Sequence, residues 1–251
     1  MGGIMAHSQS TRYRVRVAQD GRDIRAAQRL RHLAFAPVVE ADLDCDAFDP
    51  LCTHFLIEEQ SGGRLVGCFR MLPLSSGVEI NLSYAAQFYD LAKLSRFVGP
   101  MAELGRFCSL PGVQDPDILR HAWAAMTRHV DRTGVEMLFG CSSFQGTDPA
   151  PYRDSLALLR DRHLAPEVWR PRVGAPGVFR FCEGLGGHEP DPKQALRHMP
   201  PLLRSYLAMG GWVSDHAVVD ARMNTLHVFT GVEIKAIPPM RKRLLRALAA
   251  T

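Results

Sequence analysis

No run of 18 apolar residues occurs in the 251-residue chain, so no transmembrane helix is expected. No basic cluster precedes a long apolar stretch near the N-terminus, which argues against a secretory signal. The six cysteines, at 45, 52, 68, 108, 141 and 182, form no Cys-x-x-Cys pair. Neither a disulfide framework nor a standard zinc site is therefore indicated, and the scattered thiols read as those of a cytosolic protein. No Gly-x-Gly-x-x-Gly follows the first strand pattern and no Gly-Lys-Ser/Thr phosphate loop is present, which disfavours a doubly wound nucleotide fold. The absence of Gly-x-Ser-x-Gly argues against a serine hydrolase.

What remains is a globular composition, 46% hydrophobic and 22% charged, long enough for one large domain. The net charge of +4 is unevenly placed. Arg12, Arg14, Arg16, Arg22, Arg25, Arg29 and Arg31 face only Asp20 and Asp23 over residues 11–35, and Arg241, Lys242, Arg243 and Arg246 crowd the last dozen residues. Two such patches suit an acidic protein, an anionic cofactor or an anionic membrane surface.

Residues 1–10 read as a disordered leader. Tyr13, Val15 and Val17 alternate with arginines as a half-buried edge strand. A helix capped by Asp20 or Asp23 follows to about Phe35, with Ile24, Ala27, Leu30 and Ala34 as its stripe. Residues 38–54 are acidic and loop-like. A hairpin turns at Gln60-Ser61-Gly62-Gly63, a short helix is expected over 84–94, and a strand over Met101–Cys108 is interrupted at Gly105. Asp115, Pro116 and Asp117 then start a clear helix that stops near Gly134. Val135–Cys141 reads as a central strand, Ser142–Asp148 as a strand-to-helix loop, and Tyr152–His163 as a helix. Residues 164–200 give no clear element. Pro201–Met209 reads as helix, 217–219 and 226–229 as strands, and 238–251 as a basic C-terminal helix. The order predicts one mixed α/β domain over 11–237 followed by that helix.

The strongest chemical signal is Glu103-Leu104-Gly105-Arg106-Phe107-Cys108. In a regular strand Glu103 and Arg106 point to opposite faces, and a bulge at Gly105 would re-aim one of them. A carboxylate so placed suits a general base for an amine; the alternative is a buried ion pair, with Arg70 as a partner. Asp46 and Asp49, just before a strand, suit a cationic substrate or a capped turn. Backbone N–H groups around Ser142 and Ser143 suit a phosphate or an acyl carbonyl. Leu202 and Tyr206 lie in a segment suited to an apolar channel or to core packing.

Several ordered segments resemble the ornithine–acyl-[acyl carrier protein] N-acyltransferases of the GNAT-like superfamily. They are Asp46-x-Phe48-Asp49-x-x-Cys52-x-His54, Gly67-x-x-Arg70-x-Leu72, Glu103-Leu104-Gly105-Arg106-x-Cys108, Phe139-Gly140-Cys141-Ser142-Ser143-Phe144-x-Gly146, His163-Leu164-Ala165-Pro166, Pro200-Pro201-Leu202-Leu203-x-x-Tyr206-Leu207 and Asp220-x-x-x-Asn224-Thr225. A more distant likeness is to acyl-homoserine-lactone synthases, through Arg31-x-x-x-Phe35, Arg70 and Glu103-x-x-Arg106. The chain departs from the first family's pattern at Leu226-His227-Val228, where Thr-Asp-Val is frequent, and at Phe107, where Ser is common.

The resemblance implies a GNAT-like α/β fold: a mostly antiparallel twisted sheet flanked by helices and splayed beside an acyl thioester. It implies transfer of a 3-hydroxyacyl group from acyl carrier protein to the α-amine of L-ornithine, giving lyso-ornithine lipid. The donor is the phosphopantetheine thioester; no permanent cofactor, metal or nucleic acid is implied. Glu103 becomes the expected base, or the group that holds a water for that purpose. Arg70 or Arg106 would hold the acceptor carboxylate, Asp46 and Asp49 its side-chain ammonium, and the strand near Phe107 the oxyanion. Arg31, Phe35, Ser142 and Ser143 are expected substrate contacts, with Leu202 and Tyr206 along the acyl channel. The basic first strand and helix would steer the acidic carrier, and the C-terminal helix would either touch the inner face of the membrane weakly or dock against the domain. Acylation of another amine, or non-catalytic binding of the carrier or of lipid, are the competing expectations.

Overall fold

The computed structural model describes residues 12–35 and 42–250; the leader expected over 1–10 lies outside the described residues. Its strands are β1 (Tyr13–Val17), β2 (Thr53–Glu59), β3 (Leu65–Leu74), β4 (Tyr89–Asp90), β5 (Met101–Ser109), β6 (Met137–Gln145), β7 (Arg172–Val173), β8 (Val178–Phe179), β9 (Trp212–Val213), β10 (Ala217–Asp220) and β11 (Thr225–Glu233). Its helices are α1 (Gly21–Phe35), α2 (Pro116–Thr133), α3 (Arg153–Arg162), α4 (Phe181–Gly184), α5 (Pro192–His198), α6 (Pro201–Ala208) and α7 (Pro239–Ala249).

Local chemistry accounts for the best-defined elements. Asp20 accepts from the backbone N–H of Arg22 and Asp23 and so starts α1. Asp115 caps α2 through the N–H of Asp117, Pro116 fills the first helical position, and Gly134 ends the helix at φ 69°. Residues 77–96 carry no helical period and form three short 3-10 turns with β4 between them, where a single helix over 84–94 was expected. Ser142 to Gln145, expected as a loop, continue β6 as strand because β11 pairs with them as far as Gln145.

The main sheet runs β1-β2-β3-β5-β6-β11-β10-β8, with β9 beside β11. Every neighbouring pair is antiparallel except β5 and β6, whose connection through α2 makes a parallel crossover. β1 is an edge strand, as its alternation predicts. The result is the mixed α/β, mostly antiparallel architecture expected. α2 lays Ile118, Ala122, Trp123, Met126 and Val130 against Phe55, Ile57, Phe69 and Met71 of the sheet. α7 packs on α2, with Arg246 bonded to Asp131 at 3.0 Å and Leu245 and Leu248 turned inward, while Met240 and Leu244 stay exposed. Among the described residues no helix is long and apolar enough to cross a membrane.

Two irregularities shape the centre. β5 and β6 pair only at Met101–Met137, Ala102–Leu138 and Glu103–Phe139, and then part. Between the pairs Cys68–Cys108 and Arg70–Gly105, β5 holds one residue more than β3, and Arg106 takes φ 54°. The bulge expected at Gly105 therefore falls one residue later, at a non-glycine residue in the left-handed region.

At the fork, a Cβ on Gly140 would stand 2.3 Å from the carbonyl oxygen of Leu104. Backbone cannot yield as a side chain can, so the strands approach closely only because residue 140 is glycine. Gly140→Ala should lower unfolding free energy by about 1–3 kcal/mol, the usual range for overpacking. Urea denaturation of the variant beside the parent measures it; equal midpoints would show that the fork tolerates a methyl group.

Candidate active site

Where β5 and β6 part, a cavity of about 1090 Å³ opens, large enough for a lipid-like ligand. Glu103, Gly105, Arg106 and Phe107 of β5, Arg70 of β3, and Ser142 and Ser143 of β6 line it. Phe35, Tyr84 and Leu119 also reach it, as do Trp123, Leu202, Asp220 and His227. One part is polar and sits over the fork. The other runs between α2, α6 and α7, past Leu202, Leu245 and Leu248, with Arg204 and Arg241 on its wall.

The expected site residues divide into two groups. Glu103, Arg70, Arg106, Phe35, Phe107, Ser142, Ser143 and Leu202 all line this one cavity. Arg31, Asp46, Asp49 and Tyr206 are not among its lining residues. Tyr206 is buried in the core with its ring edge-on to Trp123 at 5.3 Å, so it backs the channel wall rather than forming it. Ser142 and Ser143 stand in a strand paired with Val228 and His227 of β11 rather than in a loop, and the Ser142 hydroxyl accepts from Thr230 at 3.0 Å.

Asp46 and Asp49 do not present free carboxylates to a substrate ammonium. Asp49 accepts from Gln28 at 2.9 Å and from Arg31 at 2.7 and 2.8 Å, and also pairs with Arg70. Asp46 takes both Nη1 and Nη2 of Arg70, at 2.6 and 2.7 Å, and Nη2 of Arg106 at 3.0 Å. Asp44 joins Arg31 to Arg106 through contacts at 3.0 and 2.9 Å. Three arginines and three aspartates thus neutralise one another around the bulge, and Arg31 is 1% exposed. Burial raises the Asp49 carboxyl, but the hydrogen bonds from Arg31 and Gln28 outweigh it and hold the group well below the usual carboxylate range. Arg70 and Arg106 keep a place on the cavity wall, yet their guanidinium groups are largely taken.

Glu103 differs from these acids. It is 4% exposed, and its two carboxylate oxygens accept from the backbone N–H of Tyr84 and of Ala85, each at 2.7 Å. Burial pushes it up to about 7, against the smaller lowering by those two bonds and by Arg70 and Arg106. A carboxyl poised near neutrality, fixed in orientation and facing a cavity, is suited to proton transfer. Past Glu103, β5 has no strand partner on its β6 side among the described residues. Its backbone donors there are placed beside the cavity, where a developing oxyanion could use them.

The basic first strand is largely neutralised within the chain. Arg12 pairs with Asp115 and Glu59, Arg14 with Glu58, and Arg16 with Asp23 and Glu58. Sequence reasoning gave no role to Tyr84 or His227. Tyr84 lies in a segment without periodicity, and the Arg106 guanidinium stands over its ring at 4.9 Å. Asp220 stood in a motif but without a function.

A mostly antiparallel sheet forked, among the described residues, between one parallel pair of strands is the fold of the GNAT class of acyltransferases. The acetyltransferase (GNAT) domain model matches residues 30–124. The L-ornithine N(alpha)-acyltransferase of Rhodobacter capsulatus is 34% identical, covering 90% of this chain and 91% of that protein. The L-ornithine N(alpha)-acyltransferase of Agrobacterium fabrum is 29% identical, over 88% of this chain and 81% of that one. A CoA-dependent acyl-homoserine lactone synthase shares the fold with a TM-score of 0.50 at 13% identity, covering 95% of this chain and 89% of its own. The chain belongs to the L-ornithine N(alpha)-acyltransferase family.

Breaking the buried network should be costly. Because the folded-state value of Asp49 is depressed, the stability it supplies is present above the ordinary carboxylate range, about pH 4, and is lost as pH falls below it. Asp49→Asn should cost about 3–5 kcal/mol at pH 7, since it leaves buried arginine charge unmatched. It should also flatten the acid limb of stability against pH. Chemical denaturation from pH 3 to 8 reads both; a parent-like curve would show that the network contributes little.

Proposed function

We propose that the protein transfers a 3-hydroxyacyl group from acyl carrier protein to the α-amine of L-ornithine, giving lyso-ornithine lipid. The observation that carries the reading is Glu103, a buried carboxyl pushed up to about 7 and facing the cavity at the fork of the sheet. Family membership supplies the acceptor, because relatives bear the name L-ornithine N(alpha)-acyltransferase.

The chemistry follows from the requirements of amide formation. An α-ammonium has no lone pair and must lose a proton before it attacks the thioester carbonyl. Glu103 takes that proton, directly or through a water, and the tethered carboxylate needs no reorientation to do so. Backbone donors of β5 beyond the bulge stabilise the oxyanion. The intermediate collapses as its nitrogen gives up its second proton, and the phosphopantetheine sulfur leaves as thiolate and takes up that proton, directly or through water, to end as the thiol. The acyl chain lies between α2, α6 and α7, against Leu119, Leu202 and Leu245. Arg70 and Arg106, fixed by their aspartates, line the polar end of the cavity where the acceptor carboxylate would lie.

The carrier then docks at the cavity mouth rather than on the first strand. Arg204 and Arg241 stand there without an aspartate or glutamate partner among the described residues, unlike Arg12, Arg14 and Arg16. Carrier proteins are acidic, so these two side chains supply complementary charge. The exposed Met240 and Leu244 of α7, beside Arg241 and Arg243, suit a weak contact with anionic lipid near the point of product release.

Incubation with 3-hydroxyacyl carrier protein and a panel of amines, with products identified by mass, tests the function. Ornithine should be the preferred acceptor; preference for another amine, or no product at all, would overturn the reading. Glu103→Gln should lower kcat by about 10²–10⁴-fold, the range for general-base catalysis. In the parent, kcat/KM should rise with pH through about 7, because the deprotonated carboxylate is the active form, and the variant should lack that limb. A parent-like rate or pH profile in the variant would remove Glu103 from the proton transfer.

A further inference from the structure

A second polar surface lies across the cavity from the fork, on the strands beyond β6. β10 and β11 pair antiparallel with Val218 opposite His227 and Asp220 opposite Thr225. Opposite residues share a face of a sheet, and so do alternate residues of one strand, which puts His227, Asp220 and Thr225 on the same side. All three line the cavity.

The hydrogen bonds of His227 assign its tautomer. The Tyr89 hydroxyl lies 3.1 Å from Nδ1 and also donates to the His227 carbonyl oxygen at 2.9 Å. A phenol has one proton, so Nδ1 carries the imidazole hydrogen and donates to the Tyr89 oxygen. Nε2 is then a lone-pair acceptor, and it has no hydrogen-bond partner although His227 is only 2% exposed. Burial pushes the imidazole down to about 4, so it is neutral at physiological pH.

Asp220 is the second element. It is 8% exposed and accepts from the backbone N–H of Met223 at 3.1 Å. Among the described residues no Lys or Arg pairs with it, in contrast to Asp44, Asp46 and Asp49. Phe88 stands edge-on to the His227 ring at 5.0 Å, and Tyr84 completes the aromatic side. A carboxylate without a countercharge, beside an unpaired acceptor nitrogen and aromatic rings, is matched by a ligand group that carries positive charge and several N–H donors.

We propose that Asp220 and His227 form the subsite for the side-chain ammonium of the acceptor amino acid, the δ-ammonium of ornithine, while its α-amine turns toward Glu103. The inference rests on ornithine being the acceptor. It gives the specificity a physical basis, because an amino acid without the terminal amine would leave both buried groups unmatched.

The test compares kcat/KM for ornithine and for norvaline, which has the same carbon skeleton without the δ-amine, at fixed acyl carrier protein donor. The parent should favour ornithine by at least about 10²-fold. Asp220→Asn keeps an acceptor for the Met223 N–H and should reduce that preference to less than tenfold, through loss on ornithine. His227→Leu should reduce it similarly, whereas His227→Gln, which offers an oxygen near the place of Nε2, should retain most of it. A variant that lowers both substrates equally, or one that keeps the parent preference, overturns the subsite while leaving ornithine acylation intact. A parent that makes no acylornithine overturns the function and the subsite together.

Discussion

The site depends on the early end of one strand pairing. β5 and β6 hold together for three residue pairs and then separate. A sheet interior normally cannot end its ladder there, because each unpaired backbone group costs free energy unless something else satisfies it. At this fork the open edges border a cavity, so water or a substrate amide and carbonyl can take the missing bonds. Parallel pairing also matters. It forces the chain through the α2 crossover, which brings Leu119 and Trp123 over the gap as an apolar wall. One break in a ladder thus supplies both the polar floor and the greasy channel.

The buried ion network around the bulge is best understood as scaffolding. Three matched charge pairs return roughly what their desolvation costs, so their net worth as stability is small, whereas removal of a single member is expensive. That asymmetry favours one geometry. Asp44, Asp46 and Asp49 come from a segment with little regular structure, and their ties to Arg31, Arg70 and Arg106 pin it to α1, β3 and β5 at once. The strained φ of Arg106 is tolerated because its side chain is clamped from two directions. These residues shape the site and set its potential without offering free charge to a ligand.

Much of this was legible in the sequence, but unevenly. α2 was readable to within a residue, since its cap, proline and terminal glycine act locally. So was the edge strand β1, through its alternation. The polar end of β6 was not, because Ser142, Ser143 and Gln145 look like a loop until β11 supplies their pairing. The turns over 77–96 lack any period, yet they deliver the two N–H groups that fix Glu103. The motif residues around Glu103 lie in a strand as their pattern suggests, while the fate of Asp46 and Asp49 was hidden. Which arginine meets which aspartate is decided by residues 13 to 62 positions apart in the chain.

Asp49 and Glu103 show how a single fold can hold buried carboxyls of opposite character. Asp49 and Glu103 are both buried, and desolvation raises each of them. Arg31 and Gln28 bond Asp49 directly and more than offset its burial. Glu103 receives only two neutral backbone donors, with Arg70 and Arg106 acting at a distance, and burial prevails. Full arginine contact would have locked Glu103 as an inert anion, and loss of the Tyr84 and Ala85 donors would have left it neutral and free to turn. Its partial compensation is what makes it able to gain and lose a proton near pH 7 while keeping its orientation, which is the property a base beside an amine requires.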